Sequence, residues 1–326
     1  MDVEKTPFTG VAPAIMTPFR PDGSVDFDAL LEKRQRLVRA GMQTMVWPGT
    51  MGNWSQLSPE ERNEGVSLLA SQGPLIVGTG APNTEMAADY ARHAKEAGAA
   101  GLMIIPEVLY MGTVTSAQEH HFSRVLDAGQ GLPSVAYNNP PAYRYSMGPE
   151  LFFKLREKHP NLRGFKESGG REALTRAARM ITHTEGCFLV VGIDNELVHG
   201  VMGCGAVGAV TGVGNVLPDE LMYLWRLCQL ARESGDTEAW RLAEDLDRRL
   251  LPLSDYDANP RLVLYYKHLL TLLGESEYQI QRPAEAALSA SESAEAEAQI
   301  ILFQRWWENW PGKHYLAAQP TMCCRQ

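Results

Sequence analysis

The chain has 326 residues, 44% of them hydrophobic and 21% charged, with a formal net charge of −9. That size buries a full core as one large α/β domain or two small ones, and the acidic balance argues against a nucleic-acid surface. The first residues lack the apolar region of a secretion signal and no stretch is apolar enough to span a bilayer, so no membrane partner is expected and the expected location is the cytoplasm.

Short apolar runs recur along the chain at residues 11–17, 44–47, 75–78, 101–105, 133–137, 162–166, 188–192 and 208–211, with helical stretches between them. Continuously apolar strands joined by amphipathic helices imply a parallel sheet covered on both sides, and eight such units close a (β/α)8 TIM barrel. The helix starts carry capping signals. Ser58-Pro59-Glu60-Glu61 combines an N-cap serine, a proline at the first helical position and a glutamate three residues after the cap, and Ser116 with Glu119 repeats the spacing.

From Pro218 onward only helical patterns follow, which predicts a barrel over residues 1–218 carrying the active site and a C-terminal helical region over 219–326 packed on it. Residues 284–300, rich in Ala, Glu and Ser, read as helical or partly mobile. The aromatics between Phe303 and Trp310 stand at helical spacing and read as a docking face.

Three features point away from other chemistries. Gly203, Gly205 and Gly208 spell G-x-G-x-x-G, but a dinucleotide fingerprint needs a strand before it and a helix after it, and here the order is reversed. His120 and His121 are adjacent, so on a helix they diverge by about 100 degrees and cannot share a metal without further ligands. Cys187, Cys204 and Cys228 lie in apolar or helical segments without C-x-x-C spacing, and Cys323-Cys324 reads as a tail feature. No cofactor and no metal are expected.

The polar groups that stand out sit where strands end. Lys166 lies in Leu162-Arg163-Gly164-Phe165-Lys166-Glu167, an apolar strand finishing in an amine. Burial disfavours the charged form of an amine and frees the lone pair that attacks a ketone or imine; the competing reading is a lysine that carries its amine out of a strand end into water. Gly49-Thr50-Met51-Gly52-Asn53 follows the second strand and Tyr137-Asn138-Asn139-Pro140 the fifth. In a barrel these converge at the C-terminal mouth, where glycine-flanked amides and the Thr50 hydroxyl can hold a carboxylate, Lys166 can condense with the adjacent carbon, and the Tyr137 phenol can shuttle protons.

These motifs, in this order, resemble the dihydrodipicolinate synthase / N-acetylneuraminate lyase family, with its G-T-T-G-E loop, Y-N-x-P tyrosine and G-x-K-E Schiff-base lysine. The resemblance covers about Gly10 to Leu270. It implies catalytic roles for Lys166, Tyr137 and Thr50, and a substrate lining of Gly49, Met51, Gly52 and Asn53 together with Val210, Thr211 and Gly212 of the loop at the eighth strand. It also implies a small 2-keto or cyclic 2-imino acid as substrate and a homo-oligomer, tetramer or dimer.

The departures are at Met51 and Asn53, at Pro106-Glu107-Val108 where the synthases lend a tyrosine to a neighbouring subunit, and at Ala142 where they hold a second substrate with arginine. The closer resemblance is to the branch that deaminates 1-pyrroline-4-hydroxy-2-carboxylate to 2-oxoglutarate semialdehyde and ammonia, although the loop from Pro141 to Tyr145 departs from it. The alternatives are a 2-keto-3-deoxy sugar-acid dehydratase or aldolase, a synthase-like condensation, and an inactive binding barrel. That last reading requires a sealed Lys166 or a Lys166–Glu167 ion pair.

Overall fold

The computed structural model describes residues 6–108, 114–284 and 286–318. Eight strands follow one another as β1 Gly10–Pro13, β2 Met45–Val46, β3 Leu75–Gly78, β4 Gly101–Ile104, β5 Ser134–Asn138, β6 Leu162–Glu167, β7 Phe188–Val191 and β8 Gly208–Thr211. All are parallel to their neighbours, in the order β1-β8-β7-β6-β5-β4-β3-β2, and a parallel bridge between Ala14 and Val46 brings the two ends of the sheet together. This is the expected (β/α)8 barrel.

The helices are α1 Phe27–Arg39, α2 Pro59–Ser71, α3 Thr84–Glu96, α4 Thr115–Ala128, α5 Pro140–Tyr143, α6 Pro149–Lys158, α7 Arg171–Ile181, α8 Pro218–Ser234, α9 Thr237–Ser254, α10 Leu262–Leu272 and α11 Ala290–Asn309. The crossover from β7 to β8 is made differently, by a 3-10 turn at Asp194–Glu196 that runs into a π-helical turn at His199–Gly203. Glycine at 200 permits this close approach, since a Cβ there would stand 2.2 Å from a Val191 methyl. The G-x-G-x-x-G run leaves this turn and enters β8, so a strand follows it and the dinucleotide order is reversed.

Two helix starts show how local chemistry decides. Ser58 caps α2 with the full reciprocal box to Glu61, as its sequence predicts. The same spacing fails at α4: the helix begins at Thr115 with Val114 in the cap position, and the Glu119 carboxylate accepts instead from Lys154 at 2.7 Å and Lys158 at 2.9 Å on α6. Two ammonium donors outcompete one backbone amide for a carboxylate. In the C-terminal region, Ser289 and Glu292 form a second complete box and start α11.

The aromatics of α11 dock as expected. Trp307 and Trp310 meet the Tyr223 ring of α8 edge-on at 5.6 and 6.0 Å, and the Trp310 indole donates to Asp245 of α9 at 2.8 Å. His120 and His121 diverge: His121 is buried against Thr84 and the Ile105 carbonyl, while His120 is exposed. Cys187, Cys204 and Cys228 are buried free thiols, and Cys323-Cys324 lies outside the described residues. Among the described residues no helix is long and apolar enough to cross a membrane.

Candidate active site

Lys166 and Tyr137 are paired across the β5–β6 ladder, and the pairing depends on an irregularity. Ser134 is opposite Leu162, but Val135 is opposite Gly164, so β6 carries one extra residue at Arg163 and every later position is displaced by one. Because side chains alternate along a strand, this displacement brings Lys166 level with Tyr137 on the inner face. Phe165 faces outward and meets Phe152 of α6 edge-on at 5.6 Å. Gly164 accommodates the bulge, for a Cβ there would lie 2.3 Å from the Phe188 ring and 2.4 Å from a Val135 methyl.

The Lys166 amine stands 3.3 Å from the centroid of the Tyr137 ring, and the lysine is 3% exposed. Burial alone would push the Tyr137 phenol up; the Lys166 charge and hydrogen bonds from Asn139, Lys166 and Ser168 more than offset it, and the phenol lies below its ordinary value. Glu167 points away from the amine. Its carboxylate accepts from Asn138 at 2.8 Å and from the Gly169 amide at 2.7 Å, and burial pushes its pKa up. No Lys166–Glu167 ion pair occurs among the described residues.

A cavity of about 500 Å³ opens at the C-terminal ends of the strands, lined by Lys166, Tyr137, Gly49, Thr50, Met51, Val210, Thr211 and Gly212, and also by Asn139, Ala142, Ser168 and Asp257. Gly52 and Asn53, expected in the lining, are not there. The Gly52 carbonyl accepts from the Thr17 hydroxyl at 2.6 Å, a Cβ at Gly52 would stand 3.0 Å from the Trp47 ring and 3.2 Å from Pro48, and Asn53 turns to Gln56 with a positive φ of 56°. They turn the chain; the lining comes from the residues before them. The amides of Thr50 and Met51 have no acceptor within the described residues, which leaves both N–H groups available to a ligand.

Tyr143 was not singled out from the sequence. Asn139 caps a one-turn helix by accepting from the Ala142 amide at 3.2 Å, Pro140 and Pro141 set its first turn, and Arg144 ends it in the left-handed region at φ 53°. That single turn swings Tyr143 back over the site. Its hydroxyl shares a 2.7 Å hydrogen bond with Thr50 Oγ1, and its ring meets Tyr137 edge-on at 5.6 Å. The same Asn139 side chain donates to the Tyr137 hydroxyl at 2.8 Å. Burial pushes the Tyr143 phenol well up, so it holds its proton. The sequence signal is the double proline Pro140-Pro141 just ahead of Tyr143, which marks a tight turn and says nothing of what it brings back.

A model of the dihydrodipicolinate synthetase family matches residues 7–302. The chain belongs to that family. Among the family's curated members, the 4-hydroxy-tetrahydrodipicolinate synthase of Methanothrix thermoacetophila is 36% identical over 215 residues, 65% of this chain and 71% of that one. The synthase of Methanoculleus marisnigri is 31% identical over 85% of this chain and 93% of its own. The crystal structure of dihydrodipicolinate synthase from Agrobacterium tumefaciens superposes with a TM-score of 0.80 at 24% identity, covering 93% of this chain and all of that one. The family's enzymes are aldolase-type lyases, and the barrel described above is theirs.

Proposed function

We propose that the chain is a Schiff-base lyase that dehydrates and deaminates 1-pyrroline-4-hydroxy-2-carboxylate, giving 2-oxoglutarate semialdehyde and ammonia. The observation that carries this reading is the Lys166 amine, buried against Tyr137 as the one cation among the described residues of a cavity of about 500 Å³. A nucleophilic amine needs a dry setting and a proton shuttle beside it; the burial of Lys166 and the Tyr137 phenol next to it support that assignment. Condensation of two charged substrates would need a second anchoring cation. The position that would supply it is Ala142, which lines the wall without charge. The relatives' designation as synthases supports the condensation reading, and the composition of this lining favours one carboxylated substrate.

In this mechanism the Thr50 and Met51 amides hold the carboxylate. Lys166 adds to the imine carbon, the ring nitrogen leaves it as a primary amine on C5, and the resulting protein iminium acidifies the neighbouring methylene. Loss of that proton and of the 4-hydroxyl, then a proton shift from C5, makes C5 an imine; one water frees ammonia there while a second frees Lys166. Tyr137 carries protons between these steps. Tyr143 keeps its own proton and shares a hydrogen bond with Thr50 Oγ1; with the phenol as the donor in this mechanism, the Thr50 hydrogen is free for the cavity. Three hydroxyls of one chain thereby flank the reacting carbon. Tyr143→Phe is expected to lower kcat about 100-fold with little change in KM, the usual size of a proton-transfer contribution; steady-state kinetics of the variant check it, and unchanged kcat removes Tyr143 from the relay.

The experiment that tests the function is ammonia release from the hydroxypyrroline carboxylate, run beside pyruvate and a 2-keto-3-deoxy sugar acid. Turnover of the sugar acid with no ammonia from the pyrroline would move the chain to the dehydratase or aldolase branch.

A further inference from the structure

Among the described residues the cavity holds one acid, and it comes from outside the barrel. Asp257 lies in the 3-10 turn Asp255–Ala258 between α9 and α10, and it reaches the same lining as Lys166. Behind it stands Asp194, 3% exposed, in the turn after β7. Asp257 Oδ2 accepts from the Asp194 amide at 3.0 Å. Asp194 Oδ2 accepts from the amides of Gly212 at 2.8 Å and Val213 at 2.6 Å, and its Oδ1 has no donor among the described residues. Glycine at 212 makes room for this arrangement, because a Cβ there would stand 2.5 Å from Asp257 Oδ1.

Two neighbouring carboxyls at a cavity wall, one of them 3% exposed, do not readily ionise together. The two amides donating to Asp194 favour its charged form, while Asp257 receives only one, so the shared proton resides on Asp257. The groups facing Asp257 are Asp194 from the β7 turn, Lys166 from β6 and the Tyr266 phenol from α10. Burial first, then the Asp194 charge, raises Asp257 well above the ordinary carboxyl range, and the opposing pull of Lys166 is weaker.

We propose that Asp257 presents a protonated carboxyl to the cavity, kept so by Asp194, and that it donates this proton to the departing 4-hydroxyl of the Lys166-bound substrate. The step rests on the Schiff-base reading above. The pair of the C3–H bond forms the enamine double bond as the proton passes to the Tyr137 side. The enamine nitrogen then pushes its pair toward the ring-opened chain, the C4–O bond breaks with its electrons on oxygen, and the Asp257 proton completes a water molecule. Asp257 is left as a carboxylate and recovers a proton from the water that hydrolyses the iminium. Asp194 touches no reacting atom and acts as a positioning residue.

The test uses the full chain and Asp257→Asn, which keeps an acceptor for the Asp194 amide. The expected result is wild-type borohydride trapping of the Lys166 adduct, with ammonia release lowered about 100-fold or more. Wild-type kcat should fall at alkaline pH as the acid ionises, and infrared spectra at neutral pH should show a protonated-carboxyl band that the variant lacks. Asp194→Asn is the second variant. By removing the neighbouring charge it should weaken that band and move the alkaline fall of kcat to lower pH. An active wild type whose Asp257→Asn variant turns over within about threefold, or a wild type without the band, overturns the proposal. A wild type that releases no ammonia overturns the deaminase reading instead.

Discussion

Lys166→Ala is expected to lower ammonia release by roughly 10⁴-fold or more, the scale on which a covalent nucleophile contributes. The variant should take up no mass after borohydride with any 2-oxo or 2-imino acid, whereas wild type gains one substrate-derived adduct located on Lys166. Lys166→Arg sharpens the comparison. Arginine keeps a positive charge near the Tyr137 ring, yet it cannot surrender a proton to expose a lone pair. If the amine acts as a nucleophile, both variants are inactive; if it only supplies charge, the arginine variant retains most turnover. Trapping on another lysine, or activity in Lys166→Ala within about tenfold of wild type, sinks the Schiff-base assignment.

Arg62→Met should be the most damaging change away from the cavity. Arg62 is 1% exposed and lies on α2 under the end of β3, where its guanidinium donates to the Gly80 carbonyl at 2.5 Å and to the Gly78 carbonyl, and stacks 3.7 Å over the Tyr90 ring of α3. No carboxylate pairs with it among the described residues, and burial pulls its pKa down to about 9. Methionine fills much of the volume but leaves two carbonyls without donors, each costing about 1–3 kcal/mol. The expected loss is about 3–5 kcal/mol, which for a chain of this size lowers Tm by roughly 10 °C. Thermal unfolding followed by circular dichroism checks it.

A milder effect on turnover should accompany that loss. Gly80 packs under the Trp54 indole, which lies beside the Tyr143 hydroxyl, so slack at β3 reaches the residues over the cavity. A variant that melts within about 1 °C of wild type would show that the two carbonyls find other donors.

Most strands were legible because they are short apolar runs flanked closely by glycine or proline; residues 75–78 and 208–211 begin and end where the apolar runs do. The crossover between β7 and β8 was less so. A π-helical turn has no periodic signature, and Gly203 reads only as the first glycine of the G-x-G-x-x-G run. At the cavity, Lys166, Tyr137 and Thr50 could be picked out because each is a polar residue at the end of an apolar run. Tyr143 and Asp257 could not. One rides on a single helical turn and the other on a 3-10 turn more than 100 positions further along the chain, so no local pattern ties them to the strands they face. The failed cap at Ser116 has a similar cause: what Glu119 binds is decided by two lysines on another helix.

The extra residue at Arg163 gives the barrel a form of parity. With the bulge, Lys166 looks down the axis and Phe165 lies against the helices; the same sequence paired without it would exchange them and set Phe165 level with Tyr137. Side-chain chemistry at this mouth is therefore indexed by counting as much as by residue type. A homologue with the same lysine motif and the same count of residues, but a strand that runs on without the bulge, would carry the letters of the site and none of its reactivity.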